Sequence, residues 1–509
     1  MQHLTEQSVV YSAKSDTEKS FDYILPEYLP GISRIIKTSA SIENCTFSAN
    51  IAEPANNVSL KISIMYISEY DGKIKCASFR QEVVCLFREV FSHTGEYTAV
   101  PSCFISFIQA FVQSPRKLTV KFVLQSGVTA YSESKAELFS DNDKDGICSV
   151  KKHFSSCTKK IITEAHFEKN EEITIDTAKS GVRDILRTDA CFMSIDAKAS
   201  DGRIDFDAKV NLRILYENAN DNEENDTEYA CLDTVITLSD ALSSENIDEN
   251  DIPYLYIDVY SAEPSVSLDP YGENRIISLS VKYTLSGFAY KTEEFEAITD
   301  AFLQGCQNNP EYKEFSVDSV YSAIAKTETI SISPHTDIRE VTDISSCNAK
   351  IQSVSIEHSE GQFFANTRCM CEVLGTNLSG ELSGFDVPAI LRIPLGGNEL
   401  TRSDTIPDVL INIKSCSGHI KEGSLKMDFE VGINGVFVSR EKHNLVSSLD
   451  CSENTVCDRK KGEIIVYYPS KSDSLWDVAK KYRTSPEKIC LANKEDEKTI
   501  SSRNAIIIP

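Results

Sequence analysis

Apolar and polar residues alternate along most of the chain. Between Leu279 and Leu285 every second residue is apolar, and the residues between them are polar. A period of two places successive side chains on opposite faces of a strand, so that one face meets a core and the other meets water. Similar segments recur up to about residue 440. The pattern predicts a mainly β fold whose antiparallel strands form sandwiches or sandwich-like barrels.

Three blocks of sequence recur in the same order along this part of the chain. A glycine occupies the same place in the last block of every copy, where a bulge or a close backbone approach would require it. Copies of about a hundred residues match the usual size of a domain. We therefore predict three tandem β-sandwich-like repeats, at residues 18–133, 160–291 and 320–440, with the recurring glycines at Gly127, Gly287 and Gly435. The alternating pattern also predicts that Tyr66, Tyr216 and Tyr283 face the cores.

After a polar linker at residues 441–461, the pattern changes. Ser474 with Asp477 forms a capping box, and Ser485 before Pro486 is a typical helix start. Runs of β-branched residues stand at both ends of residues 462–509, which predicts a strand, two helices and a strand. The side chains predicted to face the small core are Leu475, Val478, Ala479 and Tyr482 in the first helix and Ile489 and Ala492 in the second.

At these residues the segment resembles a LysM domain, through Ser-Asp-Ser-Leu-Trp at the first helix, Ala-Lys-Lys-Tyr at its end and Ile-Ile-Ile-Pro at the last strand. Members of that family bind N-acetylglucosamine polymers such as peptidoglycan, and some bind a protein. The resemblance implies a ligand site formed by Ser472, Asp473, Ser474, Leu475, Trp476, Asn493 and Lys494. Ser472 replaces the usual glycine and Ser502-Arg503-Asn504 replaces Pro-Gly-Gln, which disfavours close approach of the backbone to a sugar.

The charge of the chain narrows the choice of partners. The 509 residues include 52 Lys and Arg against 77 Asp and Glu, a net charge of −25, and the excess of acid lies before Gly462. Such a charge disfavours nucleic acid and anionic membranes. We find no targeting segment at the start and no apolar run long enough to cross a bilayer, so we expect a cytosolic protein whose 16 cysteines are mostly reduced and buried.

The order of three repeats and a LysM-like module resembles the SipL-type spore envelope proteins of clostridia, whose β-rich repeat is the SPOCS domain. The residues that carry this resemblance are Leu25-Pro-Glu-Tyr-Leu-Pro-Gly-Ile and the alternating strands before Tyr66 and Tyr216; the third copy lacks the two prolines. The resemblance implies an assembly protein of the mother-cell cytosol at the forespore surface. It also implies that the LysM module holds the coat ATPase, stage IV sporulation protein A.

Candidate chemistry is sparse. Asp141, Asp143 and Asp145 follow the spacing of a calcium loop, but Lys152 stands where a bidentate Glu is needed, which favours a solvated acidic turn. Cys369 and Cys371 share one face of a strand with no second pair to complete a zinc site, so we predict that both are buried in the core; Cys451 and Cys457 lie in the linker. We predict no metal and no cofactor.

We find no nucleophile elbow, phosphate loop or clustered histidines, and this absence disfavours an enzyme. Our first hypothesis is a non-enzymatic assembly protein whose terminal module captures a partner. The alternative is a wall or cortex protein that binds peptidoglycan. A peptidoglycan hydrolase would need a catalytic domain that the repeats leave no room for.

Overall fold

The computed structural model describes residues 3–50, 53–141, 146–219, 229–306, 309–334, 341–396, 405–449, 464–470, 473–494 and 505–509. This part of the chain is mainly β, which confirms the prediction from the alternating pattern, and it adds two short helices near the carboxyl end. The calcium-like loop at residues 142–145 and the linker cysteines Cys451 and Cys457 lie outside the described residues.

Each repeat is built from six consecutive strands. The first repeat contains β1 (His3–Ile24), β2 (Ile32–Ser48), β3 (Ala55–Ser68), β4 (Ile74–Leu86), β5 (Thr98–Ser114) and β6 (Lys117–Glu137). The second contains β7 (Ile147–Thr174), β8 (Val182–Ser200), β9 (Arg203–Asn218), β10 (Tyr229–Ser243), β11 (Ile252–Leu268) and β12 (Asn274–Leu303). The third contains β13 (Glu311–Ile332), β14 (Asp343–Ser359), β15 (Gln362–Thr376), β16 (Leu382–Gly396), β17 (Thr405–Lys421) and β18 (Ser424–Ser448).

All three repeats share one sheet plan. The first strand of a repeat pairs with the last, and the last pairs with the fifth, which gives β1-β6-β5, β7-β12-β11 and β13-β18-β17. The three middle strands form a second antiparallel sheet, which gives β2-β3-β4, β8-β9-β10 and β14-β15-β16. In each repeat the apolar faces of both sheets contribute to one core. Tyr66, Tyr216 and Tyr283 lie buried in these cores, as the alternation predicts.

Irregularities of strand pairing recur at matching places. The register of β2 shifts between Ile35 and Lys37, that of β8 between Ile185 and Arg187, and that of β14 between Ile344 and Ser346. β5, β11 and β17 each carry a shift as well. A bulge re-aims the side chains that follow it. The three repeats therefore present equivalent side chains in the same directions.

Two of the recurring glycines are required by the backbone. Gly287 and Gly435 have φ angles of 153° and 156°, which disfavour any residue with a side chain. A Cβ atom at Gly287 would lie 2.1 Å from the carbonyl oxygen of Tyr254, and one at Gly435 would lie 2.2 Å from that of Asp408. These contacts confirm the close approach predicted for the last strand of the repeat.

The strands extend further than the alternating pattern indicates. β1 begins at His3, well before residue 18, and β7 occupies much of the segment that separates the first two predicted repeats. β18 continues to Ser448, inside the predicted linker at residues 441–461. These strand ends carry polar residues at most positions and lack strict alternation, and their few apolar side chains, such as Leu4, Phe154 and Leu445, meet in a separate small cluster.

The three repeats close into a ring through equivalent contacts. Cys76 of the first repeat donates a hydrogen bond to the carbonyl oxygen of Leu186 in the second at 2.8 Å, and Cys231 of the second contacts that of Ser345 in the third at 3.8 Å. The corresponding residue of the third repeat is Gly384, where a Cβ atom would lie 3.0 Å from the carbonyl oxygen of Ile36 in the first repeat. Each repeat therefore packs on the next in the same way, and the third packs on the first.

Apolar side chains fill the junction of the ring. They come from the start of the second strand and from the paired ends of the third and fourth strands of each repeat, and burying them stabilises the association of the repeats. The buried members are Ile36, Met65, Ile74, Leu186, Leu215, Leu374 and Leu382.

The carboxyl end forms a small module, called here the terminal module, of β19 (Ile465–Tyr467), α1 (Leu475–Tyr482), α2 (Pro486–Asn493) and β20 (Ile506–Ile508). β19 pairs antiparallel with β20. The predicted capping box at Ser474 and the cap at Ser485 are both present. Ile489 is buried as predicted, but Ala492 is exposed, because the short α2 turns that side away from the core. In the described part of the chain, neither helix is long and apolar enough to span a membrane.

Candidate functional site

The loop before α1 is held by its own hydrogen bonds. Asp473 accepts one from the Tyr467 hydroxyl at 2.6 Å and one from the backbone N–H of Ser470 at 2.9 Å. The bond from Tyr467 is the main reason that the pKa of Asp473 lies below its ordinary value. Ser474 caps α1 and remains exposed, and Ser472 lies outside the described residues. The predicted first loop therefore offers Ser474 to solvent, while Asp473 ties the loop to β19.

Leu475 and Trp476 face the protein itself. Leu475 is only 3% exposed, in the core of the terminal module. The indole of Trp476 packs on Phe302 of β12, with ring centroids 5.1 Å apart, and its Nε1–H donates to Asp300 Oδ2 at 2.8 Å. The resemblance to a LysM domain implies that Trp476 belongs to the ligand site. In the structure it joins the terminal module to the second repeat.

Asp300 is the centre of this junction. Besides Trp476, it accepts hydrogen bonds from Lys480 Nζ at 2.5 Å and from the Tyr312 hydroxyl at 2.7 Å. Burial by itself would raise the pKa of Asp300, but the bonds from Lys480, Trp476 and Tyr312 outweigh burial and lower the pKa. Further along, Lys488 Nζ donates to Gln304 Oε1 at 2.6 Å. The terminal module is therefore docked through charge-assisted bonds to the end of β12.

The second half of the predicted site is structural as well. Asn493 Nδ2 donates to the carbonyl oxygens of Ile489 and Ile507, both at 2.8 Å, and its Oδ1 accepts from the Ile507 N–H at 2.9 Å. Asn493 thus fastens α2 to β20. Lys494 ends α2 in the left-handed conformation and is exposed. Among the described residues, no hydrogen bond joins Asn493 or Lys494 to the loop at Ser474.

An apolar surface that the prediction did not include remains on the terminal module. Ile464, Val466 and Tyr468 alternate on the outer face of the short sheet, with exposed fractions of 72%, 51% and 73%. Ile507, opposite Val466 in the register, is also exposed. Contiguous exposed apolar side chains mark contact surfaces more often than isolated ones do. We call these four residues the outer face.

Comparison with protein-family models, curated proteins and solved structures finds no match. The geometry of the chain therefore carries the functional argument.

A pocket of about 810 Å³ that is open to solvent and lined by both polar and apolar residues lies where the three repeats meet, and we call it the chamber. Ion pairs join the repeats at or beside it: Lys37, which lines the chamber, pairs with Asp386, and Arg187 pairs with Glu372. Arg187 also pairs with Asp189 of its own strand. Lys61 Nζ lies 3.1 Å from Glu263 Oε1, which joins the first repeat to the second. The chamber is thus lined by charges that are largely paired across the repeat junctions.

The charged groups around Glu372 change its pKa strongly. Burial opposes ionisation of this carboxyl, but Lys350, Arg187 and Lys37 surround it and lower its pKa from 4.5 to about 2. Glu372 and Asp386 face each other across the β15–β16 hairpin, whereas Arg187 and Lys37, which pair with them, come from the second and the first repeat. The sequence analysis did not predict the chamber, although the sequence contains one signal of it. Glu372 follows Cys369-Met-Cys371 in an otherwise apolar strand, and a charged residue in such a strand is rarely buried unless it is paired.

The described cysteines show no metal site. Cys369 and Cys371 are buried in the core of the third repeat, as predicted. Thirteen of the described cysteines are free, whereas Cys306 is disulfide-bonded, so the expectation of reduced thiols does not hold at that position. Among the described residues, no three His, Cys, Asp or Glu side chains are placed to hold a metal ion.

Proposed function

We propose that this protein is a non-enzymatic assembly factor of the spore envelope. By this proposal the repeats are β-sandwiches of the SPOCS type, the terminal module is a LysM domain, and the protein acts in the mother cell at the forespore surface. Its partner is a coat ATPase like stage IV sporulation protein A. The support is the order of modules together with the strand-helix-helix-strand arrangement at the carboxyl end.

The outer face is the observation that carries the partner assignment. Leu475 is buried and Trp476 is engaged with Asp300, so neither is available to a partner while the terminal module stays docked. Val466 of β19 and Tyr468, directly after its end, are both exposed and lie two positions apart in the chain. An apolar surface with an aromatic anchor suits a protein partner, since the centres of protein interfaces are apolar and rich in Tyr. We therefore place ATPase capture on the outer face rather than on the loop at Ser474.

The packing of the three repeats also supports the proposal. The three repeats pack on one another, and the second repeat holds the terminal module through Asp300. A binding face held against a larger body in this way suits a protein that positions a partner on a surface.

The test is recovery of the purified ATPase on the full-length chain carrying Val466→Ser and Tyr468→Ala. We expect recovery to fall at least about tenfold, because loss of a central aromatic contact costs ~2 kcal/mol or more. Tyr271→Ala is the matched control, since Tyr271 is also highly exposed, on a turn of the second repeat. Unchanged recovery by the folded double variant would remove the outer face from the interaction.

The alternative is peptidoglycan binding through the same module. Sedimentation of the full-length protein with purified peptidoglycan separates the two functions. Sedimentation that persists in the double variant, together with failure to recover the ATPase, would favour the glycan. The proposal expects the reverse.

A further inference from the structure

Two cysteine thiols meet between the two sheets of the third repeat. Cys347 lies in β14 and Cys416 lies in β17, and these strands belong to different sheets. Their sulfur atoms share a hydrogen bond at 3.0 Å, and both side chains are buried. A disulfide bond has a length of ~2.05 Å, so the two sulfur atoms need to approach by only about 1 Å to form one. The pair is therefore placed to join the two sheets covalently.

The first repeat holds a second pair between the corresponding strands. Cys45 lies in β2 and Cys103 in β5, and the Cys45 thiol donates a hydrogen bond to the Cys103 sulfur within the same core. The two sheets of every repeat approach each other most closely along these second and fifth strands. The second repeat has no such pair, because β11 contains no cysteine. The same junction of sheets therefore carries paired thiols in two of the three repeats.

The two pairs differ in how easily an oxidant reaches them. Cys103 is only partly buried, and it lines a pocket of about 260 Å³ beside the chamber. The hydrogen bond from Cys45 outweighs burial and lowers the pKa of Cys103 below its ordinary value, which favours the reactive thiolate. Cys347 and Cys416 are both buried, so an oxidant reaches them only when the third repeat opens locally.

We propose that hydrogen peroxide converts each pair into a disulfide, Cys45–Cys103 in the first repeat and Cys347–Cys416 in the third. The Cys103 thiolate attacks one peroxide oxygen, the O–O bond breaks, and a sulfenic acid forms while the other oxygen takes up a proton and leaves as water. The Cys45 sulfur then attacks the sulfenic sulfur, whose oxygen leaves as a second water molecule. Cys347 and Cys416 react in the same way. Each cross-link removes two electrons and two protons from two thiols, and it is independent of the outer face and of the function proposed above.

Peptide mapping of the full-length protein by mass spectrometry tests the proposal. After treatment with hydrogen peroxide and alkylation of the remaining thiols, digestion without a reductant should release both cross-linked peptides. The cross-link of the first repeat should form first, because Cys103 is accessible. That of the third repeat should form more slowly, and sub-denaturing urea should accelerate it by favouring local opening.

Single variants identify the partners, and a neighbouring buried cysteine provides a matched control in each repeat. Cys103→Ala should abolish the first cross-link, whereas Cys85→Ala should leave it intact. Cys347→Ala should abolish the second cross-link. Cys371 of β15 also shares a hydrogen bond with Cys416, so Cys371→Ala is the control there and should retain the second cross-link.

Thermal unfolding gives an independent readout. The oxidised protein should unfold at least about 5 °C above the reduced protein, because each cross-link joins strands far apart in the chain and restricts the unfolded state. Dithiothreitol should reverse the shift, and a double variant with Cys103→Ala and Cys347→Ala should show no shift. The absence of either cross-link after peroxide treatment, a bond from Cys416 to Cys371, or an unfolding temperature that oxidation leaves unchanged would overturn the proposal.

Discussion

Replacing Glu372 with Gln tests whether the charges of the chamber hold the ring together. Glu372 lies in β15 of the third repeat and pairs with Arg187 of the second. Gln keeps the size and the hydrogen-bonding oxygen of Glu but removes the charge. Arg187 keeps Asp189 at 2.8 Å, so the substitution weakens the junction without leaving the guanidinium group unpaired.

The structure sets the size of the expected effect. The pKa of Glu372 falls from 4.5 to about 2, which corresponds to ~3 kcal/mol in favour of the folded state when the carboxyl is ionised. Its side chain is only 10% exposed, so solvent screening reduces this value little. Because the pKa is lower in the folded state, this stabilisation is fully present above about pH 4.5 and is lost as the pH falls toward 2.

Urea unfolding followed by circular dichroism measures the effect, because the only tryptophan reports on the terminal module rather than on the ring. At neutral pH we expect Glu372→Gln to reduce the free energy of unfolding by ~2–3 kcal/mol, and the gap from the parent chain should narrow as the pH falls below about 4.5.

Glu357→Gln is the control for this experiment, since Glu357 pairs with Arg392 at 3.7 Å with both side chains about half exposed. Exposed pairs contribute ~0–1 kcal/mol. A gap for Glu372→Gln that stays constant down to about pH 3, or one no larger than that of the control, would refute the reasoning.

Three further changes test the module junction and the backbone. Asp300→Asn should weaken the docking of the terminal module by ~1–3 kcal/mol, and quenching of Trp476 fluorescence should increase as a result. Because the pKa of Asp300 is lowered in the folded protein, the parent chain should show the same change as the pH falls below about 3.8. Gly435→Ala should destabilise by more than ~1 kcal/mol in thermal unfolding, since its Cβ atom would strike a carbonyl oxygen of β17. Gly384→Ala should lower the free energy of unfolding by ~1–3 kcal/mol, because its Cβ atom would crowd the ring junction. Gly418→Ala is the control and should be tolerated, since its Cβ atom would make ordinary contacts. Equal effects of the two substitutions would contradict the ring contact.

Sequence reasoning identified several features because their causes are local. The capping box at Ser474 depends on a residue three positions away, and the burial of Tyr66 and Tyr216 follows from strict alternation along one strand. The requirement for Gly435 was visible because three copies of the unit could be compared within one chain. The exposure of Ala492 was missed because a helix of eight residues is too short for its periodicity to define a buried side.

The predicted binding residues depended on contacts that local patterns do not contain. Trp476 and Asp300 are separated by 176 positions in the chain, and nothing near either residue indicates that they meet. The same holds for the outer face, which became the candidate surface only when Leu475 and Trp476 proved to be engaged within the protein.

The sequence by itself determined that the chain is built mainly of strands, that one unit is used three times and that the carboxyl end contains two capped helices. These features are visible in the sequence because alternation, glycine requirements and helix caps each depend on only a few neighbouring residues. Only the tertiary structure decided that the repeats close into a ring and that their charges pair across the repeat junctions. These properties arise where segments far apart in the chain meet, and their energies depend on distance and burial that no single segment specifies.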